Sequence, residues 1–231
     1  MYYSDLIISE TQADKILALQ LDKSLAGMKD EMLDAAARIQ DGATRAIYYT
    51  SCFTQNYQNV CAKLKSEDSR FLSGIVQLVR NRRIIYDLIG IYFDEVFKNK
   101  TQQQVLAIGM ALEKVGVNVS ASTLTAKSFV AGLTTTVCLS AGFSPLIVAK
   151  VRKLSGGAVF LAGAYGYVQQ ASESADRLKL LSPMYYHALY MQQLEMMYFL
   201  VEPVFTKAGA FAPHYYMSDH DVVNIIQRMV R

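Results

Sequence analysis

Few side chains in this sequence have both the type and the spacing that catalysis or metal binding requires. The three histidines, His187, His214 and His220, all lie in the last fifth of the 231 residues. Asp219-His220-Asp221 contains metal-ligand side chains, but acidic residues in the first turn of a helix explain the same pattern. The motifs HExxH, GxSxG, the Walker loop and a strand-linked GxGxxG do not occur. We therefore predict no enzyme activity, no catalytic residue, no metal site and no cofactor.

The cysteines and the overall charge exclude further classes of protein. Cys52, Cys61 and Cys138 are an odd number without a CxxC pair, which argues against a disulfide framework or a thiolate metal site. The net charge is only +3, and the basic cluster 80–83 lacks interleaved stacking aromatics. That cluster is more typical of a solvated helix face, so we predict no nucleic-acid partner.

Charge is distributed unevenly along the chain. Residues 1–127 contain 15 basic and 14 acidic side chains, whereas residues 128–172 contain three charges in 45 positions. Those three charges are Lys150, Arg152 and Lys153, all basic and all at the centre of the segment. Two uncharged runs, 128–149 and 154–172, flank them. Each run has about the 20 residues that a helix needs to cross a bilayer, and the short KVRK linker predicts an antiparallel hairpin.

Small and hydroxyl-bearing residues recur in both runs. Small residues spaced four apart lie along one side of a helix and let two helix backbones approach closely. Hydroxyl groups on the same side bond to backbone carbonyls or face water. The predicted hairpin-packing or pore-lining residues are Ser128, Gly132, Thr134, Thr135, Thr136, Ser140 and Ser144 in the first run, with Ala158, Ala162 and Gly166 in the second.

The rest of the chain has the apolar spacing of amphipathic helices. We predict helices over about 9–41, 43–64, 68–97, 102–115 and 183–202, and a short terminal helix that Ser218 and Asp221 cap. The predicted fold is a single all-α domain, 1–231: a helical bundle in which amphipathic helices wrap a central hydrophobic helical hairpin. Residues 1–127 supply amphipathic helices, 128–172 the hairpin, and 173–231 a covering helix rich in Met and aromatic residues together with the C-terminal helix.

Segment 128–172 and the layout around it resemble helical pore-forming toxins. The similar proteins are the colicin pore domain and the small ion-selective pore-forming effectors that type VI secretion systems deliver. This resemblance implies insertion of the hairpin into the inner membrane of a target bacterium, depolarisation of that cell, and a cognate immunity membrane protein in the producer. The chain departs from the colicin pattern because its hairpin is richer in Ser, Thr and Gly, and because translocation and receptor domains are absent from the sequence.

The leading hypothesis is an antibacterial toxin that is water-soluble in the producing cell and forms an ion-conducting pore, as an oligomer, in the target inner membrane. Lys150, Arg152 and Lys153 form the tip of the inserted hairpin. The N-terminus lacks the features of a signal peptide, so a secretion-system carrier is the expected export route. Three alternatives stay open: a soluble helical interaction protein, of immunity or adaptor type, whose hairpin is permanent core; a constitutive two-span membrane protein; and an enzyme with an unrecognised site.

Overall fold

The computed structural model describes residues 58–80, 83–119, 125–140, 157–211 and 217–231. The predicted all-α class is confirmed: these residues form helices that pack against one another, without a strand among them. The predicted helix 9–41 and most of the predicted helix 43–64 lie outside the described residues. The predicted break between residues 64 and 68 is wrong, because one helix runs from Gln58 to Arg80.

The described helices have the following bounds. They are α1 Gln58–Arg80, α2 Ile84–Phe97, α3 Gln102–Lys114, α4 Ala126–Leu139, α5 Gly157–Leu181, α6 Pro183–Met191, a 3₁₀ helix Glu195–Leu200, α7 Glu202–Ala208 and α8 Asp219–Val230.

Two helices begin with a capping box, in which side chains satisfy amide groups that the first turn leaves without a helical partner. Ser218 Oγ accepts from the Asp221 amide at 3.2 Å, and Asp221 Oδ2 accepts from the Ser218 amide at 3.1 Å. The predicted cap of the terminal helix is therefore confirmed. Thr101 and Gln104 form the same arrangement at the start of α3.

The predicted helix 68–97 is wrong in its continuity. The helix α1 ends at Arg80 and α2 begins at Ile84, so the basic cluster falls at the boundary between two helices. Apolar spacing identifies which side of a helix is buried. It does not mark the boundary here, because α1 and α2 both bury large apolar residues.

The predicted helix 183–202 is also divided, at Gln192 and Gln193. The amide of Leu194 donates to the Leu189 carbonyl at 3.0 Å, and that of Gln193 to the Tyr190 carbonyl at 3.1 Å. These two bonds define a Schellman motif, which usually places glycine at the left-handed position. Here Gln193 has that conformation, with φ 59°. No glycine signals the end of the helix, so the sequence pattern does not show it.

An aromatic cluster in the core of the described region joins α2 to α6 and α7. The ring of Tyr92, on α2, makes edge contacts with Tyr185 of α6 at 5.6 Å and Phe205 of α7 at 4.8 Å. The Tyr92 hydroxyl donates to the Ala210 carbonyl at 3.2 Å, and the Tyr185 hydroxyl to the Leu88 carbonyl at 2.7 Å. Burial raises the pKa of both phenols. The aromatic rings thus connect α2, α6 and α7, and the raised pKa values keep both hydroxyls uncharged.

Candidate functional site

The helix α4 carries the first 12 residues of the first uncharged run and lies deep in the bundle. It packs against α2, and also against α3 and α8. Leu133, Val137 and Cys138 are fully buried, and the Phe129 ring meets that of Phe97 edge-on at 5.3 Å. The described part of the first run is therefore enclosed by other helices.

Three hydroxyls of α4 are bonded within their own segment of chain. Thr134 Oγ1 donates to the Val130 carbonyl at 2.8 Å, and Thr136 Oγ1 donates to the Gly132 carbonyl at 2.9 Å. At the start of the helix, Ser128 Oγ donates to the Thr125 carbonyl at 2.9 Å. Such bonds move with the helix because they need no partner from another element.

Thr135 differs from its neighbours. Its side chain is buried, and its Oγ1 has no hydrogen-bond partner among the described residues. The carbonyl one turn back, of Ala131, accepts a hydrogen bond from the Tyr86 hydroxyl at 3.1 Å. Ser174, in α5, is the second buried hydroxyl without a partner in the described part of the chain. A buried polar group without a partner costs about 1–3 kcal/mol.

The remaining hairpin residues divide between α5 and the undescribed part of the chain. Ser140, just after α4, donates to the Met229 carbonyl of α8 at 3.4 Å. Ala158, Ala162 and Gly166 lie at steps of four along the backbone of α5. Ser144 and the predicted tip residues, Lys150, Arg152 and Lys153, lie outside the described residues.

Ion pairs hold the charged end of α5. Lys63 of α1 lies 2.9 Å from Asp176, and Arg177 forms two bonds, of 2.8 and 2.9 Å, to the carboxylate of Glu202. The main packing partners of α5 are the 3₁₀ helix, α6 and α1. Within the described residues, the two helices that carry the uncharged runs therefore have different principal neighbours.

A buried ion pair lies beside α5 and fixes the 3₁₀ helix to α1. Both guanidinium nitrogens Nε and Nη2 of Arg70 donate to the carboxylate of Glu195, which is only 2% exposed. Arg70 also donates to the Tyr190 carbonyl at 2.7 Å and stacks 3.7 Å above the ring of Tyr190. The hydrogen bonds to Glu195 raise the pKa of Arg70. Sequence spacing could not reveal this pair, since 125 residues separate its members.

The pair lines a cleft of 620 Å³, together with the ion pair of Lys63 and Asp176. A second cleft, of 870 Å³, is lined by Lys100, whose ammonium lies 2.7 Å from Asp219 and donates to the Met217 carbonyl at 2.9 Å. The charged groups named in both clefts are already engaged with protein partners. The residues that line the two clefts do not indicate which kind of ligand would bind there.

The side chains of Asp219, His220 and Asp221 bind to other protein groups at the start of α8. Asp219 accepts from Lys100, Asp221 caps the helix, and His220 Nδ1 lies 3.1 Å from Asn224. In the described ranges, no three His, Cys, Asp or Glu side chains are grouped so that they could hold a metal ion. In those ranges there is also no helix that is long and apolar enough to cross a membrane.

No family model matches the chain, and no curated protein or solved structure is significantly similar to it.

Proposed function

We propose that this chain is an antibacterial pore-forming toxin that inserts segment 128–172 into the inner membrane of a target bacterium. The observation that carries the proposal is the bonding of the hydroxyls in α4. In hydrocarbon every polar group needs a partner within the inserted structure. Thr134 and Thr136 already have theirs, the carbonyls of Val130 and Gly132, within that segment.

The hydroxyl of Thr135 contributes free energy that favours insertion. It is buried without a partner in the described fold, at a cost of about 1–3 kcal/mol. A water-filled pore supplies the missing hydrogen bonds. Leaving the compact fold therefore relieves a cost that the compact fold carries.

The cations at the proposed tip couple insertion to the membrane potential. Each charge that crosses towards a negative interior gains about 2.3 kcal/mol per 100 mV, and desolvating it costs about 2.5–3.5 kcal/mol. For Lys150, Arg152 and Lys153 the two contributions are comparable, so the potential decides the outcome. The expected partners are the target bilayer, further copies of the chain in the pore, a secretion-system carrier and an immunity membrane protein.

The test uses polarised liposomes loaded with a potential-sensitive dye. Addition of the pure protein should dissipate the potential, and the triple variant Lys150→Gln, Arg152→Gln, Lys153→Gln should lose the dependence on the sign of the potential. A potential that stays intact at every pH and lipid composition would reject the proposal.

A disulfide between α2 and α4 gives a sharper version of the same test. A Cβ atom placed on Gly90 would lie 3.8 Å from Cγ2 and 3.9 Å from Oγ1 of Thr134, which is within reach of a disulfide after a small adjustment. The variant Gly90→Cys, Thr134→Cys is made with Cys52, Cys61 and Cys138 replaced by alanine. The oxidised protein should leave the potential intact, and the same sample should dissipate it after reduction.

The complete burial of Leu133, Val137 and Cys138 favours a second candidate, a helical interaction protein in which α4 is permanent core. Such a protein keeps its partner and its stability when α4 is locked to α2. If neither the oxidised nor the reduced form alters the potential while both stay folded, this second candidate replaces the first.

A further inference from the structure

The helical segment 183–202 is interrupted although its own sequence contains no residue that usually interrupts a helix. Between Pro183 and Pro203 there is no glycine, proline, asparagine, aspartate, serine or threonine. The helix α6 nevertheless ends at Met191, and Gln193 has the left-handed conformation with φ 59°. In the described ranges it is the only residue other than glycine with a positive φ. That conformation is strained for an L side chain, so contacts from elsewhere must hold it.

Arg70 of α1 bonds to the carbonyl that a continuous helix would use as an acceptor. In an uninterrupted α-helix the Leu194 amide would donate to the carbonyl of Tyr190, four residues earlier. In the structure the Leu194 amide donates to the Leu189 carbonyl instead, at 3.0 Å. The Tyr190 carbonyl accepts from Arg70 Nη2 at 2.7 Å, and the same guanidinium bonds to Glu195 beyond the break. One side chain of α1 therefore binds both sides of the interruption.

Two further contacts reach the break from the same side of α1. Ser73 Oγ donates to Gln193 Oε1 at 2.9 Å. A Cβ atom on Gly74 would lie only 2.7 Å from the Met197 side chain, so the lack of a side chain at Gly74 lets the 3₁₀ helix approach α1. Residues at spacings of three and four share one side of a helix. We call Arg70, Ser73 and Gly74 the α1 clamp.

The interruption lets the segment bury more side chains than one side of a helix could. Residues 194–200 are all buried. In a continuous helix Leu189, Met196 and Leu200 would form one apolar side, because steps of seven and four return to the same side. Tyr198 would then point away from that side, whereas in the structure it is only 2% exposed. The compact fold therefore gains burial at the cost of a strained backbone at the break.

We propose that segment 183–202 is a two-state element, which is broken while the α1 clamp binds it and becomes one continuous α-helix when α1 releases it. Its sequence favours the continuous form and its tertiary contacts favour the broken form. Such conflicts between local preference and fold are expected at functional or strained sites. Straightening moves the 3₁₀ helix, which is a main packing partner of α5, so release of α1 also loosens α5. The proposal does not require the pore, because the clamp and the segment lie outside 128–172.

The experiment is nuclear magnetic resonance of the full chain labelled with ¹³C and ¹⁵N. The Cα chemical shift of a residue reports its backbone conformation, and relaxation dispersion detects a minor form that exchanges in microseconds to milliseconds. In the wild type, Gln193 should have a left-handed shift. The variant Arg70→Met, Glu195→Leu removes the charged groups at the break without leaving one unpaired. It should raise the fraction with helical shifts at Gln193 and Leu194 by at least about tenfold, since charged hydrogen bonds are lost.

Substitution of Gln193 by glycine distinguishes this two-state element from a general loosening. Glycine adopts the left-handed conformation without strain and is a poor helix former. In the Arg70→Met, Glu195→Leu background, Gln193→Gly should therefore reduce the helical fraction by at least about tenfold. The matched control is Gln192→Gly, because Gln192 has φ −101° and no left-handed strain to relieve. It should reduce the fraction by about threefold at most. Equal reductions by the two glycines would overturn the proposal.

Arg70→Lys gives the same measurement in a protein that keeps its fold. Lysine retains a cation beside Glu195, but it cannot reproduce the forked bond of the guanidinium together with the bond to the Tyr190 carbonyl. This variant should raise the helical fraction at Gln193 by at least about threefold over the wild type. The proposal is rejected if Arg70→Lys keeps a left-handed shift at Gln193 and shows no exchange in residues 190–200.

Discussion

The helices α4 and α5 carry the two uncharged runs, yet they are held in different ways. The helix α4 is enclosed by apolar contacts from α2, α3 and α8, and Ser128, Thr134 and Thr136 bond within their own segment. The described end of α5 is held by ion pairs to α1 and α7, and its last two residues are exposed. Both helices bury apolar side chains, such as Ala171 and Leu178 of α5, but the charged end of α5 also has exposed ion pairs.

Because only α5 has these ion pairs, the two helices should respond differently to salt. Apolar burial is insensitive to salt, whereas exposed ion pairs weaken as ionic strength rises. The 3₁₀ helix supports α5 from one side, and its own position depends on the buried pair of Arg70 and Glu195. Substitutions in the Arg70 and Glu195 pair, in α4 and at the end of α5 should therefore change the free energy of unfolding by different amounts.

The largest effect is expected from Glu195→Ala. This change leaves the half-buried Arg70 guanidinium without its carboxylate, and breaking a buried pair on one side costs about 3–5 kcal/mol. Urea denaturation followed by circular dichroism gives the free energy of unfolding. The double variant Arg70→Met, Glu195→Leu should recover most of the loss. An equal or larger loss in the double variant would show that the pair acts through its apolar surroundings and not through its charges.

Leu133→Ala should destabilise the protein by about 2–5 kcal/mol, because Leu133 is fully buried in α4 between packed helices. Leu180→Ala is the matched control on α5, where the side chain is mostly exposed, and it should change stability by about 0.5 kcal/mol or less. Both values come from the midpoint and slope of urea unfolding. Similar losses at the two sites would remove the contrast between the two helices.

The sequence predicts the features of this fold that depend on local spacing. The capping residues Ser218 and Asp221 are three positions apart and mark a helix start directly. The apolar spacing of α3 likewise gives its bounds to within one residue. Both features are local, so short windows of sequence contain the information.

Features made by distant residues could not be predicted in this way. The Arg70 and Glu195 pair joins segments 125 residues apart. The hydrogen bond from Tyr86 to the Ala131 carbonyl, one turn before Thr135, joins residues 45 apart. The turn after Met191 is local, but its left-handed residue is Gln193 and not the glycine that would have indicated it.

Thr135→Val should stabilise the compact fold by about 1 kcal/mol. Valine has nearly the same shape and removes a buried hydroxyl that lacks a partner among the described residues. Thr134→Val is the control in the same helix, because it removes a hydroxyl that is bonded to the Val130 carbonyl, and it should cost about 1 kcal/mol. Opposite signs in urea unfolding support the description of α4. The same sign at both positions would show that the two hydroxyls have equivalent surroundings.

The smallest effect is expected from Asp176→Asn, at the charged end of α5. Lys63 and Asp176 are both more than half exposed, and Lys63 also lies 3.3 Å from Glu67, so the loss should be below about 1 kcal/mol. The hydrogen bond to Asp176 raises the pKa of Lys63, and the substitution should lower that pKa. In about 1 M salt, where charges are screened beyond about 3 Å, wild type and variant should become equally stable. The Glu195→Ala loss should persist in the same salt, because its carboxylate is buried. A salt-independent loss at Asp176 would mean that this side chain stabilises α5 through packing and not through its charge.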